Sequence, residues 1–310
     1  MRLMRAYILK RSATPLVAIS LVCILYGRPS VAAPPSETRN LHIGEGRPRR
    51  AAHTGAQKFD WRKIRVLVYT KNGKGYVHDN IPNSIEAIKA LGKENGFTVD
   101  ASDDPAVFTD TSLKKYNALI FSNTNNVVFD TDAQRVALMR YIQAGGGFVG
   151  IHSASGTERD WRWFKQMLGG TFDWHEKFQK FEVIALDRKH PSLAHLPERF
   201  EREDECYYLK EMNVNMTILA VNDLSTLKDS KPNRPNTFGN VFPSVWCQEF
   251  DGGRQWYTSL GHRKEDYQTP DFRRHILGGI QWVVEKQPPL DYAKAYAVGP
   301  NDSVRHTARR

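Results

Sequence analysis

Gly145-Gly146-Gly147-Phe148-Val149-Gly150-Ile151-His152-Ser153-Ala154 reads as a helix stop, a short buried strand and a tight turn. In a strand-turn-helix elbow the tip residue projects from the carboxyl edge of a parallel sheet. The sequence form is Gly-x-nucleophile-x-small, because bulk on either side would clash. Here the frame is Gly150-x-His152-x-Ala154, with a histidine where a nucleophile would stand. Imidazole binds metals, shuttles protons and donates hydrogen bonds near neutral pH, but it replaces serine or cysteine poorly in stable acyl chemistry. The glycine run also precedes its strand, whereas a dinucleotide-binding fingerprint follows a strand and opens a helix. That order excludes a nicotinamide site, and the chain carries no Walker-type lysine loop.

Working outward, strands and helices alternate through the first half. Strands are expected at Ile64 to Tyr69, Thr98 to Ala101, Ala118 to Ser122 and Phe148 to Ile151. Helices are expected at Pro82 to Glu94, with Pro82 in the first turn and Gly96 as the stop, and at Asp132 to Ala144. This alternation predicts an α/β fold with a mainly parallel sheet and helices on both faces. After Gly169-Gly170 the strands Phe178 to Ala185, Thr217 to Val221, Ser244 to Phe250 and Gln255 to Ser259 follow without long helices. They predict a mixed or antiparallel extension, with a hairpin turn at Asp251-Gly252-Gly253. A last helix opens at Thr269-Pro270 and presents Phe272, Ile276, Ile280 and Val283 on one face, to pack on the sheet.

The ends differ in composition. Residues 1–33 read as a signal peptide: a basic start (Arg2, Arg5, Lys10, Arg11), an apolar run from Pro15 to Leu25, and small residues at Val31-Ala32-Ala33. The apolar run is shorter than the roughly 20 residues of a spanning helix, so export to the periplasm or outside is expected, with no stable membrane span after processing. Residues 34–60 read as a flexible leader, 61–286 as one ordered domain and 287–310 as a C-terminal tail. The chain has 44 Lys and Arg against 34 Asp and Glu. Residues 1–33 hold five of the basic residues and no acidic one, and Arg47, Arg49, Arg50, Arg305, Arg309 and Arg310 lie in the outer segments. The excess therefore does not argue for nucleic acid. Cys206 and Cys247 remain after processing, in apolar surroundings that suit either a pair or two buried thiols.

Five polar clusters fall where strands or turns end. They are Tyr76-x-His78-Asp79, His152-Ser153, Asp173-x-His175-Glu176, Asp204-Glu205 with Tyr207 and Tyr208, and Gly261-His262-Arg263. A single loop histidine is ordinarily a surface or capping residue, and Asp79 suits a helix cap. Yet His78, His152 and His262 each follow an expected strand, and in a parallel sheet those ends share one rim. Two chemistries fit: a metal such as zinc or manganese held by His78, His152, His262 and a carboxylate, Glu205 or Asp204, or acid–base catalysis by His152 beside Glu205. The histidines lack close metal-motif spacing, so both stay open. The clusters are flanked by Tyr76, Trp161, Trp163, Phe172, Trp174, Tyr207, Tyr208, Trp246 and Tyr267. Rings beside polar groups suit a sugar face bordered by hydroxyls.

Together, Gly75-Tyr76-x-His78-Asp79, Gly147 to Ser153, Leu168-Gly169-Gly170-x-Phe172 with His175, His190-Pro191, Asp204-Glu205-x-Tyr207-Tyr208 and Tyr257 to His262 resemble the ThuA-like (trehalose utilisation) family, from about Ile64 to Glu285. The resemblance implies a flavodoxin-like fold similar to the class I glutamine amidotransferases, without their chemistry, because the elbow cysteine is His152 here. It also implies a carbohydrate substrate, a sugar or keto-sugar, with sugar dehydrogenases as pathway partners. The candidate catalytic residues are His152, Glu205 and His262; the candidate substrate-binding residues are His78, Asp79, Ser153, His175, Tyr207 and Arg263. Family members often carry a second histidine before His78; here that position is Val77. A non-catalytic sugar-binding or scaffold module is the alternative.

Overall fold

The computed structural model describes residues 59–228 and 237–305. The signal peptide and nearly all of the leader lie outside the described residues. The strands are β1 (Arg65–Tyr69), β2 (Thr98–Ser102), β3 (Ala118–Ser122), β4 (Gly147–Ile151), β5 (Thr171–His175), β6 (Gln179–Ala185), β7 (Arg199–Asp204), β8 (Tyr207–Lys210), β9 (Thr217–Asp223), β10 (Val241–Phe250) and β11 (Gly253–Thr258). The α-helices are α1 (Ile81–Asn95), α2 (Asp110–Leu113), α3 (Asp132–Gln143), α4 (Arg162–Leu168) and α5 (Pro270–Val284).

Nine strands form one sheet in the order β2-β1-β3-β4-β11-β10-β9-β6-β7. The first five run parallel, and every pairing from β11 to β7 is antiparallel. The antiparallel half appears where the alternation of strands and helices ceases in the sequence. The expected strands recur with small changes at their ends, whereas β5 and β8 make a separate two-stranded sheet that the hydrophobic pattern did not reveal.

Local chemistry sets the boundaries. Gly96 ends α1 at φ 93, its N–H reaching Gly92 O, a backbone conformation that glycine adopts without strain. Thr131 opens α3 with a capping box to Gln134, and Thr269 caps α5 ahead of Pro270. Asp251 and Gly252, with φ of 47 and 95, link β10 to β11 in a two-residue turn, as primed hairpin turns require.

Helices cover both faces of the parallel half. Gly279 of α5 lies against the Trp256 ring, while Gly150, beside the ring of Tyr257, approaches Leu168 of α4. Trp256 and Tyr257 alternate across β11, so α5 and α4 sit on opposite sides. A continuous cluster of rings runs from Tyr69, Phe108 and Phe129 through Phe121 and Phe148 to Phe164 of α4.

Residues 287–305, read in the sequence as part of a C-terminal tail, lie back on the body. Tyr296 donates to Asp251 at 2.6 Å, Trp161 Nε1 donates to Pro300 O at 2.6 Å, and Ala297 is buried. These contacts are between residues far apart in the chain, which local composition does not encode. Cys206 and Cys247 are two separate buried thiols, both pushed up to about 12 by burial. Among the described residues, no helix is long and apolar enough to cross a membrane.

Candidate functional site

β1, β4 and β11 are parallel, so the loops that leave their carboxyl ends open onto one rim. Those loops carry His78, His152 and His262. Glu205 and Tyr207 arrive from the other direction, from the junction of β7 and β8. One donor atom from each of His78, His152, Glu205 and His262 lies within 4.8 Å of the others, a grouping that could hold a metal ion.

His152 opens the 3₁₀ turn His152–Gly156 with a left-handed backbone, φ 52, and its ring is completely buried. A branched or bulky residue at positive φ is strained, and such strain concentrates at functional sites. Its Nδ1 lies 2.7 Å from Ser259 O. A carbonyl only accepts, so Nδ1 carries the hydrogen, and in the neutral ring Nε2 presents a lone pair. That lone pair faces the Tyr207 hydroxyl at 2.9 Å and Glu205 Oε2 at 3.5 Å. Burial first, and then the Glu205 carboxylate, keep the Tyr207 hydroxyl protonated, so Tyr207 donates to His152.

His78 contacts Ser153 Oγ through Nδ1 at 3.2 Å and stands edge-on to the rings of His152 and His262, with centroids 4.8 and 5.3 Å away. Burial, helped by the two neighbouring imidazoles, lowers its pKa to about 3 and keeps it neutral. Nδ1 of His262 is buried 3.1 Å from Glu205 Oε2 but makes no aligned hydrogen bond. Burial would lower the His262 pKa; Glu205 outweighs it and raises it. Burial would likewise raise the Glu205 carboxyl; an imidazole that turns an N–H or a positive charge toward it, as His262 can, holds it well below the usual range.

Sequence reasoning left Asp204 and Glu205 as alternatives, and the fold separates their roles. Asp204 is fully buried and accepts from the backbone N–H groups of Glu205 at 2.9 Å, Gly261 at 2.8 Å and His262 at 3.2 Å. It thereby ties the β7–β8 junction to the loop after β11. Buried Asn80 adds a second tie, its Nδ2 donating to Gly261 O at 2.8 Å and His262 O at 2.7 Å. No local motif marked Asn80, because its partners lie far along the chain.

His78, Glu205 and His262 of the cluster line a cavity of about 360 Å³, within the range of small-molecule sites; His152, fully buried, is not part of its lining. Of the residues singled out in the sequence, His78, Ser153, His175, Glu205, Tyr207 and His262 line the cavity, together with Tyr76, Phe172, Asn125 and Arg159. Asn125 and Arg159 carried no sequence signal; Arg159 lies over the Phe172 ring, 5.2 Å from its centroid. Two expected binders stand elsewhere. The Asp79 side chain is 81% exposed and 3.9 Å from Lys264, and Arg263 is paired with Glu203 at 2.6 Å and Asp266 at 3.1 Å. Of the aromatic residues singled out in the sequence, Tyr76, Phe172 and Tyr207 reach the cavity, whereas Trp161, Trp163, Tyr208, Trp246 and Tyr267 pack in the core.

Fold and site thus define an α/β protein with three imidazoles and a carboxylate gathered at the carboxyl rim of its parallel strands. The family model for ThuA, described as trehalose utilisation, matches residues 65–283, and the chain belongs to that family. Among solved structures, a ThuA-like protein from Bacteroides uniformis is 24% identical with a TM-score of 0.63, the match covering 80% of this chain and 99% of that one. A second ThuA-like protein, from Parabacteroides merdae, is 18% identical with a TM-score of 0.55, over 72% of this chain and 91% of the other. At these identities the likeness concerns the fold. A search of the curated proteins finds no match.

Proposed function

We propose that this is an exported enzyme of carbohydrate catabolism that acts on a sugar or oxidised keto-sugar at the cavity over His78, His152, Glu205 and His262. The observation that carries the reading is the grouping of these four side chains, three of which, His78, Glu205 and His262, line one cavity while His152 lies buried beside them; family membership supplies the link to carbohydrate. Tyr76 and Phe172 offer ring faces to a pyranose, and Asn125, Ser153 and His175 offer partners for its hydroxyls. His152, with Nδ1 fixed on Ser259, acts through Nε2 alone. The Tyr207 hydroxyl, beside that nitrogen and lining the cavity, is a candidate proton donor to a bound carbonyl or leaving oxygen.

The strand order β2-β1-β3-β4-β11 corresponds to the doubly wound order 2-1-3-4-5. It supports the finer assignment of the scaffold to the flavodoxin-like class shared with class I glutamine amidotransferases. Glutaminase chemistry is not part of the reading, since His152 occupies the elbow. Export is supported by the basic, apolar and small-residue sequence of residues 1–33. Dehydrogenases that oxidise sugars are the partners we propose upstream.

Turnover of a panel of glycosides and their 3-keto derivatives, followed by chromatography of the products, tests the proposal. Product formation that is lost in Glu205→Gln supports it. Saccharide binding without turnover, with or without added zinc or manganese, would replace it with the sugar-binding module.

A further inference from the structure

We infer that His78, His152, Glu205 and His262 hold one divalent first-row transition-metal ion. The inference does not require the substrate to be a sugar. Donors on opposite sides of a single zinc or manganese ion, at bond lengths near 2.0–2.2 Å, are at most about 4.3 Å apart. The four donor atoms here span no more than 4.8 Å, so shifts of a few tenths of an ångström close them on a cation.

The donor set selects the class of ion. Three imidazole nitrogens and one carboxylate oxygen suit zinc, manganese, iron, cobalt or nickel, whereas calcium and magnesium take oxygen. Second contacts are also in place. Metal-bound histidines give their other ring N–H to a carbonyl or a comparable acceptor, which fixes the tautomer and the ring. His152 does this through Nδ1 to Ser259 O at 2.7 Å, and His78 places Nδ1 against Ser153 Oγ at 3.2 Å. Asp204 fixes the backbone of both Glu205 and His262. The carboxylate is buried among the rings, and the buried Nδ1 of His262 has no aligned partner. It stands 3.1 Å from Glu205 Oε2 in a poorly aligned contact, and a cation at the centre would give both groups a better partner.

One consequence separates this site from a chance grouping of histidines. The Tyr207 hydroxyl occupies the His152 lone pair, so it competes with the metal for Nε2. Removing that hydroxyl should leave metal binding intact or tighten it, although it removes a hydrogen bond.

Untagged protein, stripped with a chelator and titrated with zinc, manganese or cobalt, provides the test. One equivalent per chain is expected by calorimetry and by elemental mass spectrometry after gel filtration. Cobalt should show the visible bands of a nitrogen-rich site, and magnesium and calcium should not compete. Glu205→Gln and His262→Ala should each weaken binding at least about 100-fold, with circular dichroism confirming the fold; Tyr207→Phe should bind at least as tightly as the parent. His195→Ala, at a half-buried histidine hydrogen-bonded to Asp271 O and outside the cluster, is the control and should bind normally. Absence of stoichiometric binding by the folded parent, or equal affinity in the parent and Glu205→Gln, overturns the inference.

Discussion

Tyr207 donates its hydroxyl to Nε2 of His152 across 2.9 Å inside the protein, and the same imidazole is pinned at Nδ1 by the Ser259 carbonyl. The ring is therefore held in one tautomer and one orientation, with a single nitrogen available. Its backbone, at φ 52, is strained to the same end. Such fixed geometry suits a group that must meet another atom at a set position.

Replacing Tyr207 with Phe leaves a buried nitrogen without its donor in metal-free protein. The expected loss is about 1–3 kcal/mol of unfolding free energy, read by urea denaturation in the presence of chelator. Saturating zinc should recover much of that loss, because a ligand that binds the native state adds stability by mass action.

Asp204→Asn should disturb the site without touching the cavity. Both carboxylate oxygens accept backbone N–H groups, so the amide NH₂ of asparagine must oppose one of them. An unsatisfied buried group of this kind costs about 1–3 kcal/mol, and loss of the charge beside Arg202, 3.6 Å away, adds to it. Outer contacts of this type are worth roughly 10–100-fold in metal affinity, so calorimetric titration of folded Asp204→Asn should show a fall in that range.

Acid should destabilise the fold through histidines remote from the site. Burial is the largest influence on both His275, lowered to about 3, and His190, lowered to about 4. Each must stay neutral when folded, whereas the unfolded ring titrates near 6.5. Their contribution is complete above pH 6.5 and declines as pH falls toward the folded values. For His275 the full loss is on the order of 5 kcal/mol. Guanidinium unfolding from pH 7 to 4 should show declining stability, and the slope should lessen in a folded His275→Gln variant.

Gly279→Ala tests how closely α5 approaches the sheet. Alanine raises helix propensity by about 1 kcal/mol, but its Cβ would meet the Trp256 indole. Overpacking costs about 1–3 kcal/mol, and a rigid fused ring cannot retreat. Net destabilisation is expected in a thermal melt; stabilisation would mean that α5 shifts freely.

Periodicity and turn chemistry made most of the sheet legible in the sequence: the elbow at Gly150-x-His152, the Asp251-Gly252 hairpin and the cap at Thr269 all act within a few residues. The gathering of His78, His152 and His262 was legible through a general rule about parallel strand ends. What stayed hidden depends on distant partners. Asn80 matters through residues of the loop after β11, and Arg159 through its position over Phe172. Arg263 looked functional beside His262, but its charge is taken up by Glu203 and Asp266. The pair β5 and β8 escaped because strand pairing within a small separate sheet leaves little alternation to read.

The four converging side chains come from the loops after β1, β4 and β11 and from the β7–β8 junction, which between them draw on nearly the whole described domain. No fragment shorter than residues 78–262 holds the complete set. Occupancy of the centre is therefore a gauge of the entire domain. A substitution that loosens any contributing strand should register as weakened binding before it registers as unfolding, and a saturating ion should protect strands that it never touches.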